Sequence, residues 1–216
     1  MAVTRVARRS VSAARLLLGV LAIRILAYAY VLGVPAQGAN PFNYFGFFTN
    51  LTNLLAGLTL VVCGVLGLQQ HPPPGPLQFA RGVAVSCMLV VAVIYNTLIP
   101  GTGSAPAWVS LVLHALLPAA VLLDWALVGD RQPLPWRSLW VVLPYPLTWL
   151  AVVLLRGVTD GWVPYGFLLP SHGFAYVLGH VLLLLVSLLI AAALVWLLSR
   201  LPGAPALTRH GRPRVS

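Results

Sequence analysis

Long apolar runs alternate with short breaks of Pro, Gly and Arg along the whole chain. The runs extend approximately from Ala14 to Val34, Phe47 to Leu68, Gln78 to Ile99, Pro106 to Val128, Ser138 to Leu155 and Phe174 to Leu198. A hydrocarbon core about 30 Å thick takes about 20 apolar residues per spanning helix, so the pattern predicts six transmembrane helices. Barrel strands would alternate in hydropathy over about ten residues, and an open sheet in lipid would leave backbone groups unpaired. The expected fold class is therefore all-α: a polytopic integral membrane protein with a six-helix domain over 14–198. A basic N-terminus (1–13) and a basic, disordered tail (199–216) flank it.

Composition changes this picture little. Over 216 residues, 60% are hydrophobic and 7% charged, and the mean hydropathy is +0.93; a soluble domain of this size needs a more polar exterior. The first run follows several arginines, as a secretory signal does, but it is longer than the 7 to 15 residues typical of a signal core and carries Arg24. A retained helix is expected.

Charge adds an orientation. All 13 basic residues are arginine. Arg5, Arg8, Arg9 and Arg15 precede or begin helix one; Arg81 begins helix three; Arg131 and Arg137 lie between helices four and five; Arg200, Arg209, Arg212 and Arg214 follow helix six. The opposite face has only Arg156. By the positive-inside rule both termini are cytoplasmic, and the net charge of +10 reports topology rather than nucleic-acid binding. Cys63 and Cys87 read as free apolar thiols. The chain has no metal-ligand spacing and no Glu, and no cofactor or metal is expected.

Depth sharpens the candidate chemistry. Counting 1.5 Å per residue from the outer helix ends puts Thr49 at about 7 Å, Asn96 at about 6 Å, and His114 and His180 at about 9 Å. Asn50 and Asn53 share an arc of helix two with Thr49. Polar groups at membrane depth are costly and normally face the bundle interior, so a polar pocket is expected in the outer third. Read singly, Asn53 and Asn96 are interhelical hydrogen-bonding groups; the titratable His114 beside Thr49 points further, to function. At the other end, Asp124 and Arg24 are expected to form a structural ion pair. The segment "RGVTDGWVPYGFLLPSHG" (156–173) is either an aromatic interfacial belt or a cover over the pocket.

Taken in order, "FFTNLTNLL" (47–55), "LHALLPAAVLLDW" (113–125), "LPYPLTW" (143–149) and "GWVPYGFL" (161–168) resemble the androgen-induced membrane protein family and its six-helix bacterial branch. The resemblance covers roughly residues 14–198. It implies an intramembrane threonine hydrolase of fatty acid esters in a bacterial cytoplasmic membrane, with Thr49 as nucleophile and His114 as base. The partners implied are membrane lipids or a lipid-ester substrate, without nucleic acid or metal. Thr52 is a second candidate nucleophile, and Asn50, Asn53, Asn96 and His180 are candidates for lining the pocket, orienting the base or donating to an oxyanion. Two other readings stand beside it. One is a noncatalytic lipid-binding or scaffold protein; the other is a small-molecule transporter, disfavoured by the apolar stretch separating His114 from Asp124.

Overall fold

A computed structural model describes residues 2–101, 103 and 105–203. The described residues are all-helical, without strands. The long elements are α1 (Ala2–Gln37), α3 (Phe48–Leu68), α4 (Gly75–Leu98), α7 (Pro144–Thr159) and α8 (Phe174–Leu198). The short α2 (Pro41–Gly46) precedes α3. The fourth span is composite: α5 (Ala107–Leu111), a π-helical turn (Val112–Leu116) and α6 (Leu117–Leu127). Six helices are long and apolar enough to cross a membrane. The expected basic tail lies mostly outside the described residues.

Three elements differ from the sequence expectation, each for a local reason. Helix α1 begins at Ala2 instead of Ala14, because no Pro or Gly interrupts the arginine-rich segment that precedes the apolar run. The fifth span opens as a 3₁₀ segment, Trp136–Val142, and becomes α-helical at Pro144. Pro144 and Pro146 have no N–H to give, so regular i→i−4 bonding cannot run through this stretch. The π turn sits directly before Pro118, for the same reason.

Helices α1 and α3 pack along a small-residue seam. A Cβ on Gly19 would lie 2.6 Å from the Gly57 carbonyl oxygen, and one on Gly64 would lie 2.7 Å from the Leu16 nitrogen. Such contacts let two backbones approach where lipid supplies no hydrophobic drive between helices. The main core joins α3, α4, α6 and α8 around Met88, Cys87, Trp125 and Trp196, all fully buried. Cys63 and Cys87 are free and buried.

One end of the bundle concentrates charge. Arg15 reaches Asp124 Oδ1 through Nε (2.7 Å) and Asp130 Oδ2 through Nη1 (2.5 Å). Arg81 reaches the remaining oxygens, Asp124 Oδ2 at 3.1 Å and Asp130 Oδ1 at 3.2 Å. Two guanidiniums and two carboxylates thus close a ring that ties α1, α4 and α6 together. The Arg81 guanidinium also lies 5.5 Å from the centre of the Trp125 ring. Arg131 donates to the carbonyls of Ala126, Val128, Leu198 and Leu201, filling the open C-terminal ends of α6 and α8.

This ring corrects the expected Arg24–Asp124 pair. Asp124 is held by Arg15 and Arg81, whereas Arg24 is exposed on α1. Both arginines enter from the same end, but Arg15 is buried on the side of α1 that meets the bundle.

Candidate active site

At the opposite end, apart from the Arg156–Asp160 pair, the polar groups are neutral and carry out a different task. Pro118 has no N–H, so the carbonyl of His114, four residues earlier, loses its α-helical donor. The preceding bond slips by one residue: the Leu117 N–H donates to the Val112 carbonyl, which releases the Leu113 carbonyl as well. Both orphans are filled by asparagines from neighbouring helices. Asn53 Nδ2 donates to Leu113 O (3.2 Å), and Asn96 Nδ2 donates to His114 O (3.2 Å). Each amide uses its second hydrogen on its own helix, at Thr49 O (2.8 Å) and Ala92 O (2.7 Å). These two asparagines therefore support the irregular turn that carries His114, and no amide hydrogen remains on either to stabilise an oxyanion. Asn50 differs: Nδ2 donates to Tyr44 O (2.8 Å), and this leaves it one hydrogen at the cavity wall.

The His114 ring is fixed on two sides. Nδ1 lies 2.9 Å from the Ser110 carbonyl oxygen. A carbonyl only accepts, so in the neutral ring the proton sits on Nδ1 and Nε2 is left as the basic nitrogen. Tyr95 stacks on the imidazole at 3.4 Å between centroids, and its hydroxyl is 2.6 Å from Ser110 Oγ. Sequence reasoning missed this support because Ser110 acts through its carbonyl and Tyr95 through its ring face. The spacing from 110 to 114, one helical turn, was the available signal.

Thr49 occupies the first turn of α3, where the backbone N–H groups have no intrahelical acceptor. Its own N–H points at the Tyr165 hydroxyl (3.4 Å). Burial pushes the Tyr165 phenol above its ordinary pKa and keeps it protonated at neutral pH. The same tyrosine stacks on Phe167 (5.3 Å) and meets Phe47 edge-on (5.8 Å). The loop before α8 is therefore part of the site wall.

Two open cavities meet at Thr49. The more polar one, about 1110 Å³ including its mouth, is lined by Thr49, Asn50, Ser110, His114, Tyr44 and Pro164 among others. The apolar one, about 810 Å³ including its mouth, runs between α4, α7 and α8 past Val91, Ile94, Leu147, Leu150, Leu184 and Leu188. Thr49, Tyr95, Ile99 and Tyr165 line both. The structure thus brings Thr49, Asn50 and His114 to one cavity, with Asn53 buried behind it and Asn96 exposed in a neighbouring cavity that His114 also lines. It leaves two other candidates elsewhere. Thr52 is fully buried and bonded to the Tyr145 hydroxyl at 2.9 Å. His180 lies behind Phe167, with Nδ1 2.9 Å from Tyr176 O, and lines neither cavity.

No protein-family model, no curated protein and no solved structure matches this chain.

Proposed function

We propose that this protein is a multi-pass membrane hydrolase of lipid esters, with Thr49 as nucleophile and His114 as general base. The reading orients both termini and the arginine-rich end to the cytoplasm and the paired cavities to the outer leaflet of a bacterial cytoplasmic membrane. One observation carries it: Thr49 stands at the wall shared by an apolar chamber and a polar chamber, and His114 lines the polar one. An ester has the same division. Its acyl chain fits apolar walls, and its carbonyl and alcohol portions need hydrogen-bonding neighbours.

The steps follow from the groups present. His114 Nε2 takes the Thr49 Oγ proton as Oγ bonds to the ester carbonyl carbon. The carbonyl oxygen becomes an oxyanion facing the remaining Asn50 N–H, in the first turn of α3, where the helix dipole favours negative charge. Collapse of this intermediate breaks the bond to the alcohol oxygen, which receives the proton from His114. Water, deprotonated by the same nitrogen, then attacks the acyl-threonine; the acyl–Oγ bond breaks, Thr49 Oγ takes the proton back from His114, and the carboxylic acid leaves.

The test is labelling of the purified, detergent-solubilised chain with a lipophilic fluorophosphonate probe, with folding checked by circular dichroism. Labelling is expected in wild type and Thr52→Ala and is expected to fall at least about 100-fold in Thr49→Ala and His114→Ala. A folded wild-type protein that takes no label and hydrolyses no long-chain ester overturns the catalytic reading. The same chambers would then define a noncatalytic lipid-binding protein.

A further inference from the structure

Arg24 is unexplained once the charge ring is accounted for. It lies nine residues beyond Arg15, about 13 Å along α1, and about 6 Å short of Tyr28, whose ring packs on Trp108 at 5.7 Å. It is exposed and has no hydrogen bond or ion pair with any described residue. In a spanning helix this position is well inside the hydrocarbon. The Cα–Cβ bond also tilts towards the helix N-terminus, away from the nearer interface, so the side chain is badly aimed to reach that surface.

The neighbours of Arg24 form a seam. Leu17, Leu21, Arg24, Tyr28 and Val31 are spaced by four, three, four and three residues, and all are exposed; Leu17 and Val31 reach 70% and 68%. That 3.5-residue repeat is the contact stripe of two helices packed in a left-handed pair, with Arg24 at its centre. The opposite side of α1 is already buried through Ala22, Ile25 and Leu26. We propose that this stripe docks a transmembrane helix of a different protein that carries an Asp or Glu at the depth of Arg24.

Charge complementarity selects that occupant. The chain contains only three carboxylate side chains. Asp124 and Asp130 are held by Arg15 and Arg81, and Asp160 is held by Arg156 at 2.7 Å. A second copy therefore has no free carboxylate to offer, and a two-fold pairing along the stripe would set one Arg24 against another. An intramembrane arginine ordinarily pairs with an acid, and here the acid has to come from outside the chain.

The experiment uses the full chain in phosphatidylcholine vesicles, with a fluorophore on a cysteine introduced as Ser10→Cys; the native cysteines are buried. Energy transfer is measured to synthetic helices of about 20 Leu and Ala residues that carry a central Asp, Asn or Leu. The Asp helix is expected to bind about tenfold or more tighter than the Leu helix, a difference that is lost in Arg24→Leu and kept in Arg24→Lys. Equal binding of the Asp and Leu helices, or an Asp preference that survives Arg24→Leu, overturns the proposal. So does strong transfer between two differently labelled copies of the chain, which would make a second copy the occupant.

Discussion

The two ends of the bundle handle polarity in opposite ways. At the charged end, the guanidiniums of Arg15 and Arg81 and the carboxylates of Asp124 and Asp130 saturate each other, Arg131 is held by backbone carbonyls, and the adjacent cavity is small, about 270 Å³ including its mouth. At the cavity end the polar groups facing the open volume are amides, hydroxyls and an imidazole. The amides of Asn53 and Asn96 serve backbone carbonyls that Pro118 and the π turn have left open, and the imidazole is held by the Ser110 carbonyl. The charged end locks three helices, and the neutral end tolerates an irregular turn beside open volume. The ion-pair lock and the open cavities are thereby separated along the helix axes.

The comparison breaks most readily at the lock. Asp124→Leu leaves Arg15 and Arg81 with one carboxylate between them, and removing one partner of a buried ion network typically costs about 3 to 5 kcal/mol. A large drop in melting temperature in detergent is expected. A drop no larger than that of a surface substitution would show that the ring contributes little.

Acid acts on the same ring with less force. Burial alone would raise the Asp130 pKa, but bonding to Arg15 and the charges of Arg81 and Arg15 outweigh it and bring the group down from 3.8 to about 2. A folded-state pKa below the unfolded one means that this contribution is complete above pH 3.8 and is lost as pH falls through about 2. Melting temperatures recorded from pH 5 to pH 2 should decline over that window in wild type and decline less in Asp130→Asn.

The neutral end should give smaller, coupled effects. Asn53→Leu strands the Leu113 carbonyl and is expected to cost about 1 to 3 kcal/mol. Asn96→Ala should cost about 0.6 kcal/mol, in line with interhelical hydrogen bonds in membranes. In a Pro118→Ala background the His114 carbonyl regains a backbone donor, so the Asn96→Ala penalty should shrink. A double-mutant cycle on thermal stability measures this coupling, and strict additivity would refute the account of the π turn. Thr52→Val should produce the least change, about 0.6 kcal/mol from the lost Tyr145 bond, and should leave probe labelling unaltered.

The reading from sequence succeeded where the cause was local. Run length and hydropathy decide whether a segment can span: the sixth expected span coincides with the observed candidate, four others differ by a few residues at their ends, and the first helix is longer than expected. Depth counting placed Thr49 and His114 at one level because rise per residue is fixed. The same counting put His180 at that level too, and it fails there. Axial position says nothing about rotation, and α8 turns His180 behind Phe167. The Arg24–Asp124 expectation failed for the same reason, since Arg15 is on the side of α1 that meets the bundle and Arg24 is not.

One part of the cavity end is written in the sequence itself. A proline always deprives the carbonyl four residues earlier of its donor, so "HALLP" by itself announces that the His114 carbonyl needs an outside partner. Which residue answers could not be known from the chain. Sequence alone determined the helical class, the number of spans, the concentration of arginine at alternate breaks and the backbone vacancy at His114, because each depends on covalent structure or on hydropathy over one short segment. Tertiary structure alone decided that Asn53 and Asn96 fill the vacated carbonyls, that Tyr165 joins the cavity wall, and that Asp124 belongs to Arg15 and Arg81. Those outcomes depend on which helices are neighbours and how each is rotated, and both are set by packing of the whole bundle.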